Sequence, residues 1–298
     1  MSSGKANGLS KGIEDFVENE ELSDLTSAVI FDIQKNKVIE EHNPRKALPI
    51  ASVVKLLTAA YGLATIGEEY KFHTSLFTNG ILRDGLLTGD LFLVGGGDPS
   101  LDVAGLLELI KIMKEKGIRK ISGNFYYDGK ILPNLYQISS KQLPEASFNP
   151  GLSGLNLNEN RIFFQWIKLG EEYKLSLKLK GSQHEVTSER ITIHGYNNLK
   201  SIFEYSFDKQ EKVEQWRVSN QALKESGGRW LPVRLTSNFV AFIFKNLCRQ
   251  EGIILPSPIE RAVDSEEYFL IAKKESKNLK EIIKKMLHKS TNVTAEII

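Results

Sequence analysis

The chain has 298 residues, 41% of them hydrophobic, enough to bury a sizeable core in one large domain or a few small ones. Its 39 basic and 37 acidic side chains leave a formal net charge of +2, without the basic excess of a dedicated nucleic-acid binder. No apolar run reaches the roughly 18 residues that a membrane span needs.

The residues before Glu20 are polar and charged and lack the apolar stretch of a signal peptide. This fits a cytoplasmic protein or a chain that begins after a leader. Residues 27–33 form a strand-like run and residues 38–41 another, joined by a hairpin turn over Gln34–Lys37. Apolar residues at 53, 56, 57, 60, 63 and 64 predict the inward face of a buried helix that ends at Gly67, with Ser52 in its first turn. Short β-type runs follow at 72–77, 90–94 and 125–127. Between the last two, Asp102 is placed to cap a helix over 103–116 that stops at Gly117. Residues 129–160 are rich in Pro, Asn, Ser and Gly and read as a long surface excursion. Alternating residues over 161–220 predict an antiparallel β module. Thr236 is expected to cap a helix over 237–251 that ends at Gly252. A short strand at 268–272 precedes a helix over 277–289, with Ser276 as its cap and Leu279, Ile282, Ile283, Met286 and Leu287 on one face. Strands and helices together give an α+β chain.

Cys248 is the single cysteine, which excludes an internal disulfide framework and a zinc site built from several thiolates. Phe239, Ile243 and Leu247 surround it at helical spacing, so an inert buried thiol is expected. His42, His73, His184, His194 and His288 are scattered without metal-ligand spacing, and no metal or cofactor is expected. Gly95-Gly96-Gly97-Asp98 lacks phosphate-loop spacing and reads as a tight turn. The segment 151–154, with Ser153, lacks the second glycine of a nucleophile elbow. The lysines over 273–289 read as a solvated helix face.

Ser-x-x-Lys occurs at Ser2/Lys5, Ser52/Lys55 and Ser206/Lys209, and Ser-x-Asn at Ser122, Ser147, Ser276 and Ser290. Neither pattern is selective alone. Of the three lysine pairs, Ser52/Lys55 alone combines a helix first turn, apolar helix behind it and a lysine on the same face. There the helix dipole favours negative charge developing on Oγ, and an amine held in apolar surroundings gives up its proton more readily, so it can accept the serine's. The plainer alternative is a serine N-cap followed by a lysine whose stem lies along the apolar surface.

The segment HNPRKALPIASVVKLLTAAYGLATIGEEYKFHTSLF, followed in order by LTGDLFLVGGGDPSLD, NPGLSGLNLNENRIFF, GGRWLPVR and KKMLHKSTNVTAE, resembles the penicillin-binding protein 4 type of D-alanyl-D-alanine carboxypeptidase/endopeptidase. The resemblance implies a serine β-lactamase/transpeptidase-like domain, residues 1–76 and 264–298, interrupted by an inserted β-rich region of one or two modules over 77–263. It further implies an acyl-enzyme on Ser52, with Lys55 as the base, Ser290 relaying a proton to the leaving group and Asn292 binding the substrate amide. The implied substrate is a peptidoglycan stem peptide ending in D-Ala-D-Ala, and β-lactams are the implied covalent inhibitors. The implied location is periplasmic. In that family Ser-x-x-Lys and Ser-x-Asn are joined by a third motif, Lys-Thr-Gly, which is absent from these residues, so an incomplete catalytic domain is expected. Two other readings stand beside the enzyme. One is a catalytically incompetent remnant that at most binds cell-wall peptide, the other a cytoplasmic binding protein that uses Ser52 only as a cap.

Overall fold

A computed structural model describes residues 12–13, 20–179, 189–264 and 267–298. Ser2, Lys5 and His184 lie outside them. The chain forms two compact units, Met1–Val54 and Lys55–Ile298.

The first unit contains helix α1 (Glu20–Leu25) and the antiparallel hairpin of β1 (Ala28–Asp32) and β2 (Lys37–His42). The hairpin follows the sequence expectation. Asp32 Oδ1 accepts from the Lys35 N–H at 3.0 Å, and Asn36 takes the left-handed conformation (φ 49°) that asparagine tolerates in tight turns. Asn43 Nδ2 donates to the carbonyls of Ser23 and Thr26, tying the end of α1 to the hairpin. The unit closes on a 3₁₀ turn, Ala51–Val54.

The second unit opens with α2 (Lys55–Thr65), then β3 (Lys71–Thr78), β4 (Ile81–Arg83), β5 (Leu86–Thr88), β6 (Leu91–Gly95), α3 (Val103–Glu115), β7 (Lys120–Ile121) and β8 (Phe125–Asp128). Next come β9 (Arg161–Leu169), β10 (Glu172–Lys178), β11 (Ile191–Tyr196), β12 (Phe203–Asp208), β13 (Val213–Ser219) and β14 (Gly227–Pro232). The chain continues through α4 (Thr236–Gln250), β15 (Pro258–Glu260), β16 (Phe269–Asn278), α5 (Leu279–Lys289) and α6 (Asn292–Ile297). A five-stranded mixed sheet of order β15-β8-β6-β3-β16 is covered by α3 and α4. Leu76, Leu93 and Phe125 from the sheet join Leu106 and Met113 of α3 and Phe244 of α4 in one core without solvent exposure. The glycine run departs from the expected tight turn: Gly95 still belongs to β6, residues 96–98 run on without a turn, and the chain turns at Pro99–Ser100. Gly96 N donates to the His73 carbonyl at 2.8 Å and Gly97 N to the Gly154 carbonyl at 2.9 Å. A Cβ on Gly95 would stand 2.3 Å from the Gly154 oxygen, so the close approach requires glycine there.

The unit also contains three three-stranded sheets, β4-β5-β7, β10-β9-β14 and β11-β13-β12. An edge-on aromatic contact, Phe164 to Phe203, links the last two, and a second, Tyr205 to Trp216, lies within the β11-β13-β12 sheet. The expectation of a wholly antiparallel module needs correction, because β11 pairs parallel with β13. Successive strands reverse direction, and β13 inserts between β11 and β12, so the first and third strands run the same way.

Four other expectations change. Residues 149–160 are largely buried rather than a surface excursion. Their side chains replace the missing ladder, with Asn160 Nδ2 donating to the Gly151 carbonyl and Ser153 Oγ to that of Leu155. Thr236 does not cap α4. It is the buried first residue of the helix, and the Glu214 carboxylate, reaching across from β13, accepts the N–H groups of Arg234 and Leu235 instead. Nor does Ser276 cap α5. It belongs to β16, which runs well past residue 272, and Asn278 caps the helix by accepting from Glu281 N at 3.1 Å.

The last correction concerns α2. Its apolar face is exposed, with Leu56 at 57% and Leu57 at 66%, whereas Lys55, Ala59 and Gly62 are buried. The small side packs because it allows close approach: a Cβ on Gly62 would stand 2.5 Å from Ile298 Cγ2. Ala59 joins Phe72, Leu279, Ile282, Ile283 and Met286 in a second, smaller core, while Leu287 stays outside it.

Candidate active site

Ser52 lies in the 3₁₀ turn of the first unit and is exposed, directly after Ala51, which holds a left-handed backbone (φ 43°). Lys55 begins α2 of the second unit and is only 6% exposed. A lysine so buried requires polar company for its amine, and the motif at the far end of the chain supplies it. Lys55 Nζ donates to Asn292 Oδ1 at 2.7 Å and to Ser290 Oγ at 3.5 Å. Residues 235 and 237 positions away in sequence therefore converge on one nitrogen.

The convergence follows from how α5 ends. Its apolar residues dock on α2, and Ser290, at the C-cap, turns left-handed (φ 53°, ψ 41°) with its N–H on the Met286 carbonyl. A left-handed serine is costlier than the glycine usual at a helix end, by about 1 kcal/mol. The turn lets Asn292 restart the chain as α6, so that Ser290 Oγ and Asn292 Oδ1 reach the same amine. Asn292 Nδ2 donates to the Phe148 carbonyl at 2.9 Å. This contact was not foreseeable, since Phe148 falls in the segment expected to be surface excursion.

Beside Ser290 and Asn292 lies a cavity of about 390 Å³ lined in part by Phe148, Glu159, Arg161, Lys285 and Lys289. Glu159 pairs with Arg161 and, at 3.6 Å, with Lys285. Three cations against one carboxylate make this lining net positive. Glu159 is the middle of three consecutive left-handed residues, Asn158 to Asn160, and the asparagine-rich composition is the one sequence cue to that backbone.

The remaining candidates stand elsewhere. Ser206 lies in strand β12, so Ser206/Lys209 lacks the helical spacing that would bring the two together. Ser153 is buried against Thr236 and Ser237, as expected of a serine that is no nucleophile. Cys248 is fully buried, and desolvation pushes its thiol pKa well up. Among the described residues no group of His, Cys, Asp and Glu has the arrangement of a metal site, and no helix is long and apolar enough to cross a membrane.

Known proteins share this arrangement of chain. The D-alanyl-D-alanine carboxypeptidase DacB of Haemophilus influenzae is 24% identical over 278 residues, 89% of this chain and 56% of the relative. A D-alanyl-D-alanine carboxypeptidase of Actinomadura sp. is 28% identical over 121 residues, 40% of this chain and 22% of the relative. The crystal structure of penicillin binding protein 4 from Haemophilus influenzae superposes with a TM-score of 0.71 at 23% identity, covering 91% of this chain and 61% of that one. A structure of the same protein complexed with a β-lactam gives a TM-score of 0.70, again at 23% identity, over 91% of this chain and 60% of that one. The α+β fold expected from sequence is therefore that of penicillin-binding protein 4 over the matched residues, and the chain spans about three-fifths of the solved relative's length. With the model of the D-Ala-D-Ala carboxypeptidase 3 (S13) family matching residues 9–298, the chain belongs to that family.

Proposed function

We propose that this chain carries the acyl-transfer machinery of a serine-type D-Ala-D-Ala carboxypeptidase/endopeptidase acting on peptidoglycan stem peptides at the periplasmic cell wall. The observation that carries the reading is the buried Lys55 amine meeting Ser290 and Asn292. Those are the residue types, in order, of the first two of the three motifs that penicillin-binding proteins use for acyl transfer. Ser52 Oγ attacks the carbonyl carbon of the penultimate D-Ala while Lys55 Nζ takes its proton. The C–N bond then breaks, and Ser290 passes a proton to the departing amine. An ester on Ser52 remains, and water hydrolyses it. Asn292 offers an amide to the substrate backbone, and the positive lining formed by Arg161, Lys285 and Lys289 suits a carboxylate-bearing stem peptide. In this reading residues 77–263 interrupt a transpeptidase-like domain contributed by residues 1–76 and 264–298.

A second reading, a chain that binds cell-wall peptide without turning it over, is favoured by one observation: the apolar residues Leu56, Leu57 and Tyr61 of α2 stand open to solvent. Intact-mass analysis after incubation with benzylpenicillin separates the two. The enzyme reading expects one adduct, mapped to Ser52 and abolished by Ser52→Ala. No adduct at all, or an adduct on another serine, overturns it.

A further inference from the structure

The Asn292 amide is held at both ends. Its oxygen faces the Lys55 donor and its nitrogen faces the Phe148 carbonyl, so the two contacts together decide which way round the amide sits. Phe148 lies outside regular secondary structure and its side chain is exposed, so neighbouring residues must fix its carbonyl. They do so on both flanks. Arg234, 3% exposed, donates one guanidinium N–H to the Pro144 carbonyl at 2.6 Å and another to the Asn149 carbonyl. The buried Asn149 side chain closes a ring with Ser139, accepting from its N–H at 2.7 Å and donating to its carbonyl at 2.8 Å. Glu214 anchors the arginine in turn, by accepting its backbone N–H at 2.9 Å.

We propose that Arg234 is a positioning residue for Asn292: its planar fork grips residues 144–149, fixes the Phe148 carbonyl between the two carbonyls it holds, and so orients the Asn292 amide against Lys55. The catalytic meaning of this clamp rests on the acyl-transfer reading above, but the clamp itself is a matter of hydrogen bonds. Lysine is not an equivalent, because a point charge cannot hold two carbonyls in a fixed fork.

The test uses the whole chain and follows the Asn292 side-chain amide in a ¹⁵N–¹H spectrum, with the signal assigned by its loss in Asn292→Asp. Arg234→Lys keeps the charge beside Glu214 and removes the fork. The expected result is solvent exchange of the Asn292 amide at least about tenfold faster, measured well below the melting midpoint. Acylation of Ser52 by benzylpenicillin should slow by a similar factor at unchanged non-covalent affinity, since misplacing a group by about 1 Å can cost up to about 10²-fold. Asn149→Ser, which breaks the ring with Ser139 and spares the Arg234–Glu214 contact, should shift the same signal in the same direction, and it decides the matter if Arg234→Lys does not fold. An Asn292 amide unchanged in the folded variants, whatever their melting points, would show that Arg234 only stabilises and would overturn the proposal. If the unaltered chain takes up no β-lactam, the Ser52 reading fails while the amide measurement still judges the clamp.

Discussion

The hairpin β1–β2 and the central strand β6 are built from the same kinds of residue and end in opposite surroundings. Val29, Ile30 and Phe31 on β1 are as apolar as Leu91, Phe92 and Leu93 on β6. The β6 residues are fully buried, whereas Phe31 is 47% exposed and Ile33, just beyond β1, is 86% exposed. The difference lies in what the rest of the chain supplies. Strand β6 has β3 and β8 on its two edges, with α3 and α4 packed over the sheet. Among the described residues, each hairpin strand has a neighbour on one edge only. An apolar pattern states that a segment needs a partner, and each side chain that finds one contributes about 1.5–3 kcal/mol. The pattern does not state that the partner is present.

The sharpest way to break this comparison is limited proteolysis. Local opening costs range from nearly nothing up to the global free energy, according to buried contacts. Bonds between residues 20 and 54 are therefore expected to be cut at least about a hundredfold faster than bonds within β6, β8 or α4. Peptide mapping over a trypsin time course checks this, and cleavage at equal rates in both regions would contradict it. Truncation of single side chains gives the next largest effect. Phe244→Ala should cost about 3–5 kcal/mol in urea unfolding, because a fully buried ring leaves a cavity in the larger core. Phe31→Ala, with half its ring already in water, should cost under about 1 kcal/mol.

How much could be read beforehand follows the same division. Periodicity placed the hairpin, α3, α4 and α5 within a few residues, because each repeats apolar positions at a local spacing. It failed on α2, where the conspicuous leucines face solvent and the inconspicuous Ala59 and Gly62 make the contact. Helix packing selects the face by fit as well as by hydrophobicity. It failed again on residues 149–160, whose buried backbone is satisfied by asparagine and serine side chains that look like loop residues in sequence. Of the candidate site, the meeting side chains Lys55, Ser290 and Asn292 could be picked out by motif. The Phe148 carbonyl could not, because a main-chain oxygen has no sequence signature.

Buried charge offers a third test. Glu214 lies inside the second unit, and its burial pushes its pKa from 4.5 up to about 7, against the opposing pull of the Leu235 and Arg234 N–H groups and the Arg234 charge. Tyr205 and Tyr136 face the same pocket of charge. Between pH 4.5 and about 7 the folded protein keeps a proton that the unfolded chain has released. Unfolding then releases a proton, so this group's contribution to stability falls as pH rises through that window and levels off above it, by at most about 3 kcal/mol. Urea unfolding of the wild-type chain and of Glu214→Gln across the window measures it. The wild type should lose stability relative to the variant as pH rises. A gap that does not change with pH would mean that Glu214 is ionised in the folded state throughout.

The smallest expected effect probes the hairpin most directly. Ile33, just beyond β1, is 86% exposed, so Ile33→Thr removes almost no burial and keeps the β-branched shape that strands favour. Surface changes of this kind fall within about 0.5 kcal/mol of zero. The urea midpoint of Ile33→Thr should therefore coincide with that of the unaltered chain. The same substitution at a buried position such as Ile243 puts a hydroxyl into an apolar core and should cost several times as much. A loss of about 2 kcal/mol at Ile33 would mean that the hairpin residues are covered in solution, and the contrast between the two regions would then reflect an absent partner and not an open surface.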